Sequence, residues 1–273
     1  MLWGVVAPRR VDGMTLVRSE PVRTVIRTLE RQFGLGLSFL TYYGQPHRLL
    51  ALRRLYRPFI APGDLCFDIG AHVGNRILVL RSLGARVVGV EPNADCMTWL
   101  RRLYGRDANV QLRQAALGVG PGKRTLWVSR RSPTVSTVDS SWRRQIAGSD
   151  GFRHVAWDET RTVPAETLDR LIDEYGPPAF CKIDVEGAED EVLAGLSLPV
   201  PVISFEYINA AWPRALACLT RLSSLGEYQF NWAIGERGRL QSASWLTQEE
   251  LIERMDTTAA RGQSGDIYAR RLA

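Results

Sequence analysis

Lysine is almost missing from this chain. Of 35 basic residues only Lys123 and Lys182 are lysines. An arginine fork does not replace a compact ammonium, so each lysine stands out. Lys123 lies in a Pro-Gly-Lys turn, a solvated setting, whereas Lys182 lies in an apolar run. Histidine is scarce as well, and His47, His72 and His154 are far apart. The four cysteines, Cys66, Cys96, Cys181 and Cys218, form no C-x-x-C pair. These absences disfavour a zinc site and a disulfide scaffold. Cys66 and Cys181 sit in strand-like apolar runs and read as buried free thiols, which points to a reducing, cytoplasmic setting. No stretch reaches the roughly 18 apolar residues of a membrane span. No apolar h-region follows the early charges, so no secretory leader is expected.

What is present is ordinary globular composition, 45% hydrophobic and 23% charged over 273 residues. A chain of this size buries about three quarters of its surface on folding. The net charge of +6 is unevenly placed. Residues 1–63 carry ten arginines and three acids, while the other 210 residues carry 25 basic and 26 acidic groups. The body lacks the basic track that nucleic-acid binding requires, so no nucleic-acid partner is expected. Two domains follow: a basic helical extension over 1–60 and a body over 61–273. In the extension, helical spacing predicts helices over Pro21–Phe33 and from Pro46 to just before Pro58. Basic amphipathic helices lie on membranes or bind partners; the alternative is that both cap the main sheet with arginine on the solvated face.

From Pro62 onward strands alternate with helices, the pattern of an α/β fold with a mostly parallel sheet and helices on both faces. Strands are expected at Leu65–Gly70, Arg86–Glu91, Val110–Leu117, Leu126–Ser129, Phe180–Val185, Val202–Ile208, Tyr228–Ile234 and Ile267–Arg270. Helices are expected at Asn75–Leu83, Ala94–Tyr104, Thr167–Tyr175, Ala188–Leu196, Pro213–Leu225 and Thr247–Met255, the last with a capping box from Thr247 and Glu250. Residues 130–160 show no period.

Three motifs fall at strand ends. Asp68-Ile69-Gly70-Ala71-His72-Val73-Gly74-Asn75 follows one strand and opens a helix, where glycines and free N–H groups admit a ligand. The spacing is not that of a dinucleotide fold, and Asp68 suits an ammonium better than a pyrophosphate. Glu91-Pro92 ends the next strand, 17 residues past Gly74, where an acid takes both hydroxyls of an adenosine ribose. Together these describe an S-adenosylmethionine site, with Asp68, Gly70, Ala71, His72, Gly74, Asn75, Glu91 and Pro92 as candidate contacts. Lys182-Ile183-Asp184-Val185-Glu186-Gly187-Ala188-Glu189 ends the fourth main strand, at the switch point where open α/β sheets bind ligands. Alternation sends Lys182, Asp184 and Glu186 to one side. Glu206, in the apolar run that follows, is a charge that needs a reason. With Asp184 it forms an acid/base pair, holds a cation, or meets one of the many arginines in a buried salt bridge.

The stretches Phe67–Asn75, Val90-Glu91-Pro92, Ala116-Leu117-Gly118, Thr167-Leu168-Asp169-Arg170-Leu171 and Lys182–Glu189 occur in an order that resembles the FkbM-family methyltransferases. The resemblance runs from about Gly63 to Leu240. It implies a Rossmann-like class I methyltransferase fold, with a seven-stranded sheet whose last strand is antiparallel. It also implies S-adenosylmethionine as cofactor and methylation of a hydroxyl on a sugar or other small molecule. By the same resemblance Gln114 or Ala115 lies near the adenine and Asp184 at the reaction centre. Ser136 and Thr137, in an acceptor-side insertion, are candidate substrate contacts along with Glu186.

Methyl transfer to an alcohol needs in-line positioning and a base within about 3 Å. Asp184 or Glu206 is the candidate base, with Lys182 or His72 as alternates. No metal site is assigned. The rival readings are a magnesium-dependent O-methyltransferase using Asp184, Glu186 and Glu206, and a non-catalytic cofactor-binding scaffold acting through the basic N-terminus.

Overall fold

The structure, a computed structural model, describes residues 42–146, 155–235, 238–256 and 264–272, with positions 34, 36 and 38–40 ahead of them. The helix expected over Pro21–Phe33 lies outside the described residues. The chain begins with helix α1 (Pro46–Tyr56), β1 (Leu65–Ile69), α2 (Asn75–Ser82), β2 (Arg86–Val90), α3 (Ala94–Tyr104) and β3 (Val110–Arg113). It continues through β4 (Ala116–Leu117), β5 (Gly122–Val128), α4 (Ser140–Ile146), β6 (Glu159–Glu166), α5 (Leu168–Tyr175) and β7 (Phe180–Ile183). Last come α6 (Glu189–Ala194), β8 (Val202–Tyr207), α7 (Trp212–Leu225), β9 (Tyr228–Ile234), α8 (Gln248–Met255) and β10 (Gly265–Arg271).

Seven strands form the main sheet in the order β3-β2-β1-β7-β8-β10-β9. Neighbours are parallel except β10, which runs antiparallel to β8 and β9. The order reverses between β1 and β7, so the carboxyl ends of these two strands open a crevice. β1 is buried along its whole length, as a central parallel strand covered on both faces should be. Its alternation divides the core. Leu65, Phe67 and Ile69 pack with Leu168, Leu193 and Leu219 on one face. Cys66 packs with Tyr56, Ile77, Leu100 and Phe180 on the other. Phe67 and Phe180, both fully buried, each stabilise the fold by roughly 1.5–3 kcal/mol. All four cysteines are buried free thiols.

Helix α1 caps the sheet through Leu52, Leu55 and Tyr56, and leaves Arg53 and Arg54 exposed. Among the described residues no helix is long and apolar enough to cross a membrane. The helix ends carry the expected caps. Asn93 accepts the Asp95 N–H, Thr167 accepts the Arg170 N–H, and Thr247 with Glu250 closes the capping box.

Two expectations are corrected. Val110–Leu117 is not one strand: the chain breaks at Gln114 and Ala115, and Ala116–Leu117 leaves for a second sheet. In that sheet, ordered β4-β6-β5, only β5 is expected as a strand of its own, at Leu126–Ser129. β6 hides because only Val163 and Ala165 of its last residues are buried and Pro164 interrupts it, which demotes a run to edge strand or loop. β5 pairs antiparallel with β6 from Gly122↔Ala165 to Val128↔Glu159.

Candidate active site

The loop after β1 is fixed before any ligand arrives. The N–H groups of Gly70 and Ala71 both donate to the Val90 carbonyl at 2.9 Å. Gly70 has φ 83°, and a Cβ there would run into the Asp184 backbone carbonyl. Only glycine lets the ends of β1 and β7 approach so closely. The Glu91 carboxylate then ties the loop to β2. It accepts the His72 N–H at 2.9 Å and the Asn93 N–H at 2.8 Å. Burial pushes Glu91 up to about 7, against the pull of those two N–H groups. Tyr104 donates to the Gly74 carbonyl (2.8 Å) and Tyr43 to that of Val73 (3.0 Å).

Beside this loop lies a cleft with about 520 Å³ of empty space. Its apolar walls include Ile69, Val90, Leu117 and Leu126. Of the residues named from sequence, Gly70, His72, Glu91, Pro92, Ala115, Ser136, Asp184 and Glu186 line it. Others stand back. Asp68 is fully buried, and neither carboxylate oxygen has a partner among the described residues. Burial raises its carboxyl to about 6, with Arg76 opposing. Ala71 and Asn75 are buried, and Gly74 caps α2. Gln114 accepts from Arg101 at 3.3 Å outside the cleft. Thr137 is buried and donates to the Glu186 carbonyl at 2.7 Å, so it holds the loop that carries Glu186.

A second cavity, with about 650 Å³ of empty space, meets the first at Asp184 and Glu186, which line both. Tyr42, Arg76, Glu206 and Asp266 also line it. Asp184 pairs with Arg76 at 3.0 Å and with Lys182 at 3.5 Å. Burial would raise its carboxyl, but these two cations hold it below the ordinary range. Lys182 is completely buried and bonds Asp266 at 2.6 Å. Burial disfavours its charge, yet Asp184 and Asp266 outweigh that and raise its pKa. It is a permanent ammonium that orients Asp184, and it has no free pair to accept a proton.

Glu186 and Glu206 are different. Neither carboxylate has a hydrogen bond or ion pair among the described residues. One oxygen from each of Asp184, Glu186 and Glu206 lies within 4.8 Å of the others. Burial, then Asp184, then other neighbouring carboxylates raise both glutamates well above the usual range. The loop that carries Glu186 is braced. Glu189 accepts from the Val185 and Gly187 N–H groups at 3.0 and 3.1 Å. Gly187, at φ 98°, faces the Trp142 indole where a Cβ would collide. His72 (φ 49°) and Glu186 (φ 55°) are the non-glycine residues in the left-handed region among the described residues. Both line the first cleft, and such strain gathers at working sites. Burial also drives the His72 imidazole down to about 4, which favours its neutral form, and its Nε2 has no partner among the described residues.

Sequence reasoning passed over Arg76, Asp266 and Tyr42. Arg76 had a signal: a cation in the first turn of a helix opposes the helix dipole and implies a nearby acid. Asp266, like Glu206, is a charge inside a strand. Tyr42 sits outside every motif and had none; its ring lies edge-on to His72 at 5.6 Å between centroids.

Comparison with known proteins gives a consistent assignment. The family model described as the methyltransferase FkbM domain matches residues 68–221. A curated relative, the hexuronic acid methyltransferase AglP of Haloferax volcanii, is 26% identical over 148 residues, 54% of this chain and 55% of that protein. The chain thus matches about half the length of that relative. Among solved structures, an O-methyltransferase from Bacillus cereus in complex with SAH is 14% identical, with 94% of each chain covered and a TM-score of 0.45. A precorrin-6y C5,15-methyltransferase from Geobacter metallireducens is 13% identical, with 96% of this chain and 94% of that one covered and a TM-score of 0.42.

Proposed function

The chain belongs to the FkbM methyltransferase family, and on that premise we propose that it transfers a methyl group from S-adenosylmethionine to a hydroxyl of a small molecule or sugar. The observation that carries the reading is the pair of cavities joined at Asp184 and Glu186. One cavity suits a methyl donor and the other an acceptor, with carboxylates at the junction.

The residues of the first cleft fit the cofactor. Its apolar walls suit an adenine, and Glu91 offers carboxylate oxygens to a ribose diol. When bound, S-adenosylmethionine supplies an electrophilic methyl group. This chain's residues do the rest. Gly70 and the Asp184 backbone set the spacing between the two cavities. Arg76 and Lys182 fix the Asp184 carboxylate. Glu206, unpaired and raised in pKa, takes the acceptor proton as general base. A carboxylate with a raised pKa is a stronger base, once ionised, than one held low. The relative's name, a hexuronic acid methyltransferase, supports a sugar.

A second reading rests on the same three carboxylates. Asp184, Glu186 and Glu206 supply oxygens of the kind Mg²⁺ accepts, and a cation there would relieve their repulsion. Methyl-transfer assays on a panel of neutral and acidic sugars, with and without EDTA, separate the two. Turnover unaffected by EDTA and lost in Glu206→Gln supports the general base. Turnover abolished by EDTA and restored by Mg²⁺ supports the cation. No transfer to any acceptor, by protein that binds the cofactor, counts against both.

A further inference from the structure

At the opposite end of the same strands lies a groove that shares no lining residue with either cavity. It sits at the start of β8 and the end of β10. Among the described residues, Arg54, Arg239, Arg270 and Arg271 line it, and no acid does. This is unusual in a body whose charges nearly balance. Elsewhere partly buried arginines meet carboxylates, as in Arg76–Asp184, Arg81–Asp107 and Arg113–Glu166. In the groove the exposed side chains of Arg54, Arg239 and Arg271 have no hydrogen bond or ion pair among the described residues. Arg270 is held in place: it donates to the Gln229 side-chain oxygen at 2.8 Å and lies 4.5 Å over the Trp245 ring. Phe59 and Leu240 add an apolar wall.

Like charges gathered in one concavity repel each other and attract a polyvalent anion. Arginine forks match phosphate oxygens in two-point contacts. We propose that this groove binds a soluble oligophosphate bearing a flat or apolar group, of the nucleoside diphosphate class. The arginines take the phosphates, and the Phe59–Leu240 wall takes the ring. Its volume of about 630 Å³ falls within the roughly 300–1,000 Å³ of ordinary small-molecule sites. A flat bilayer would touch only the rim.

The test is calorimetric titration of the full chain with UDP and with inorganic diphosphate, neither of which carries adenosine. Phosphatidylglycerol vesicles form a third arm. UDP should bind. The double variant Arg239→Ala, Arg271→Ala should weaken it about tenfold or more, the loss of one charged contact or more. Arg54→Ala, on a separate element, should weaken it too and guards against a folding defect in the double variant. Glu91→Gln should leave it unchanged, which separates this groove from the cofactor cleft. Added salt should weaken it. Absence of UDP binding by folded protein, an affinity untouched by the arginine variants, or binding to vesicles alone would each overturn the proposal.

Discussion

On one side of Asp184 the Glu91 carboxylate is satisfied by two backbone N–H groups and surrounded by apolar walls. On the other side Glu186 and Glu206 face a cavity with no partner among the described residues. Burial raises the acids on both sides, but only the first side compensates with donors. A buried acid that is already satisfied is built to bind. Half-buried acids crowded together without donors, as Glu186 and Glu206 are, can receive a proton or a cation. On the proposed function, recognition falls to the first cleft and chemistry to the second, with Asp184 and Glu186 lining both.

The sharpest way to break this division is Glu206→Gln. Turnover should fall by about 100-fold or more, the usual weight of a general base, with cofactor affinity unchanged. Asp184→Asn should lower turnover as well, by freeing Arg76 and Lys182. Unchanged turnover in steady-state assays of either variant removes that residue's role. Next in size is Gly70→Ala. The added Cβ meets the Asp184 carbonyl at a left-handed φ, so stability should drop by about 1–3 kcal/mol, read as a lower Tm. A Tm equal to that of the parent chain means the two strand ends are not in close contact.

The acids also predict a pH dependence. Asp68, Glu91 and Glu189 are raised to about 6, 7 and 7, against roughly 4 when unfolded. Between those values the folded state holds more protons than the unfolded one. Their contribution is therefore fully present below about pH 4 and is lost as pH rises to about 7. Tm should decline by a few degrees between about pH 5 and 7, and Glu91→Gln should flatten the decline. A Tm that climbs through this window contradicts the burial of these groups. The smallest effect belongs to Tyr42→Ala. It lines the second cavity alone, so acceptor KM should rise several-fold while cofactor affinity holds.

The same division explains what the sequence could disclose. The first cleft is written in contiguous motifs, because a strand, a turn and a helix follow one another along the chain. Gly70 and Glu91 were legible for that reason. The second cavity is assembled from α2, β7, β8 and β10 and from Tyr42, elements separated by long stretches of chain. Asp184, Glu186 and Glu206 stood out as charges in apolar strands, whereas Arg76 and Asp266 became visible only through their partners. Lys182 showed the reverse. Its isolation among arginines marked it, but only the flanking Asp184 and Asp266 fix it as a charged clamp. The small second sheet escaped because β6 carries Pro164 and a solvated first half.

The most direct measurement is a calorimetric titration of S-adenosylhomocysteine into the parent chain, Glu91→Gln and Glu206→Gln. If recognition and chemistry are divided at Asp184, the parent chain binds, Glu91→Gln binds about tenfold or more weakly, and Glu206→Gln binds as the parent does. No binding by folded parent protein, or a loss in Glu206→Gln with Glu91→Gln unaffected, would contradict that division.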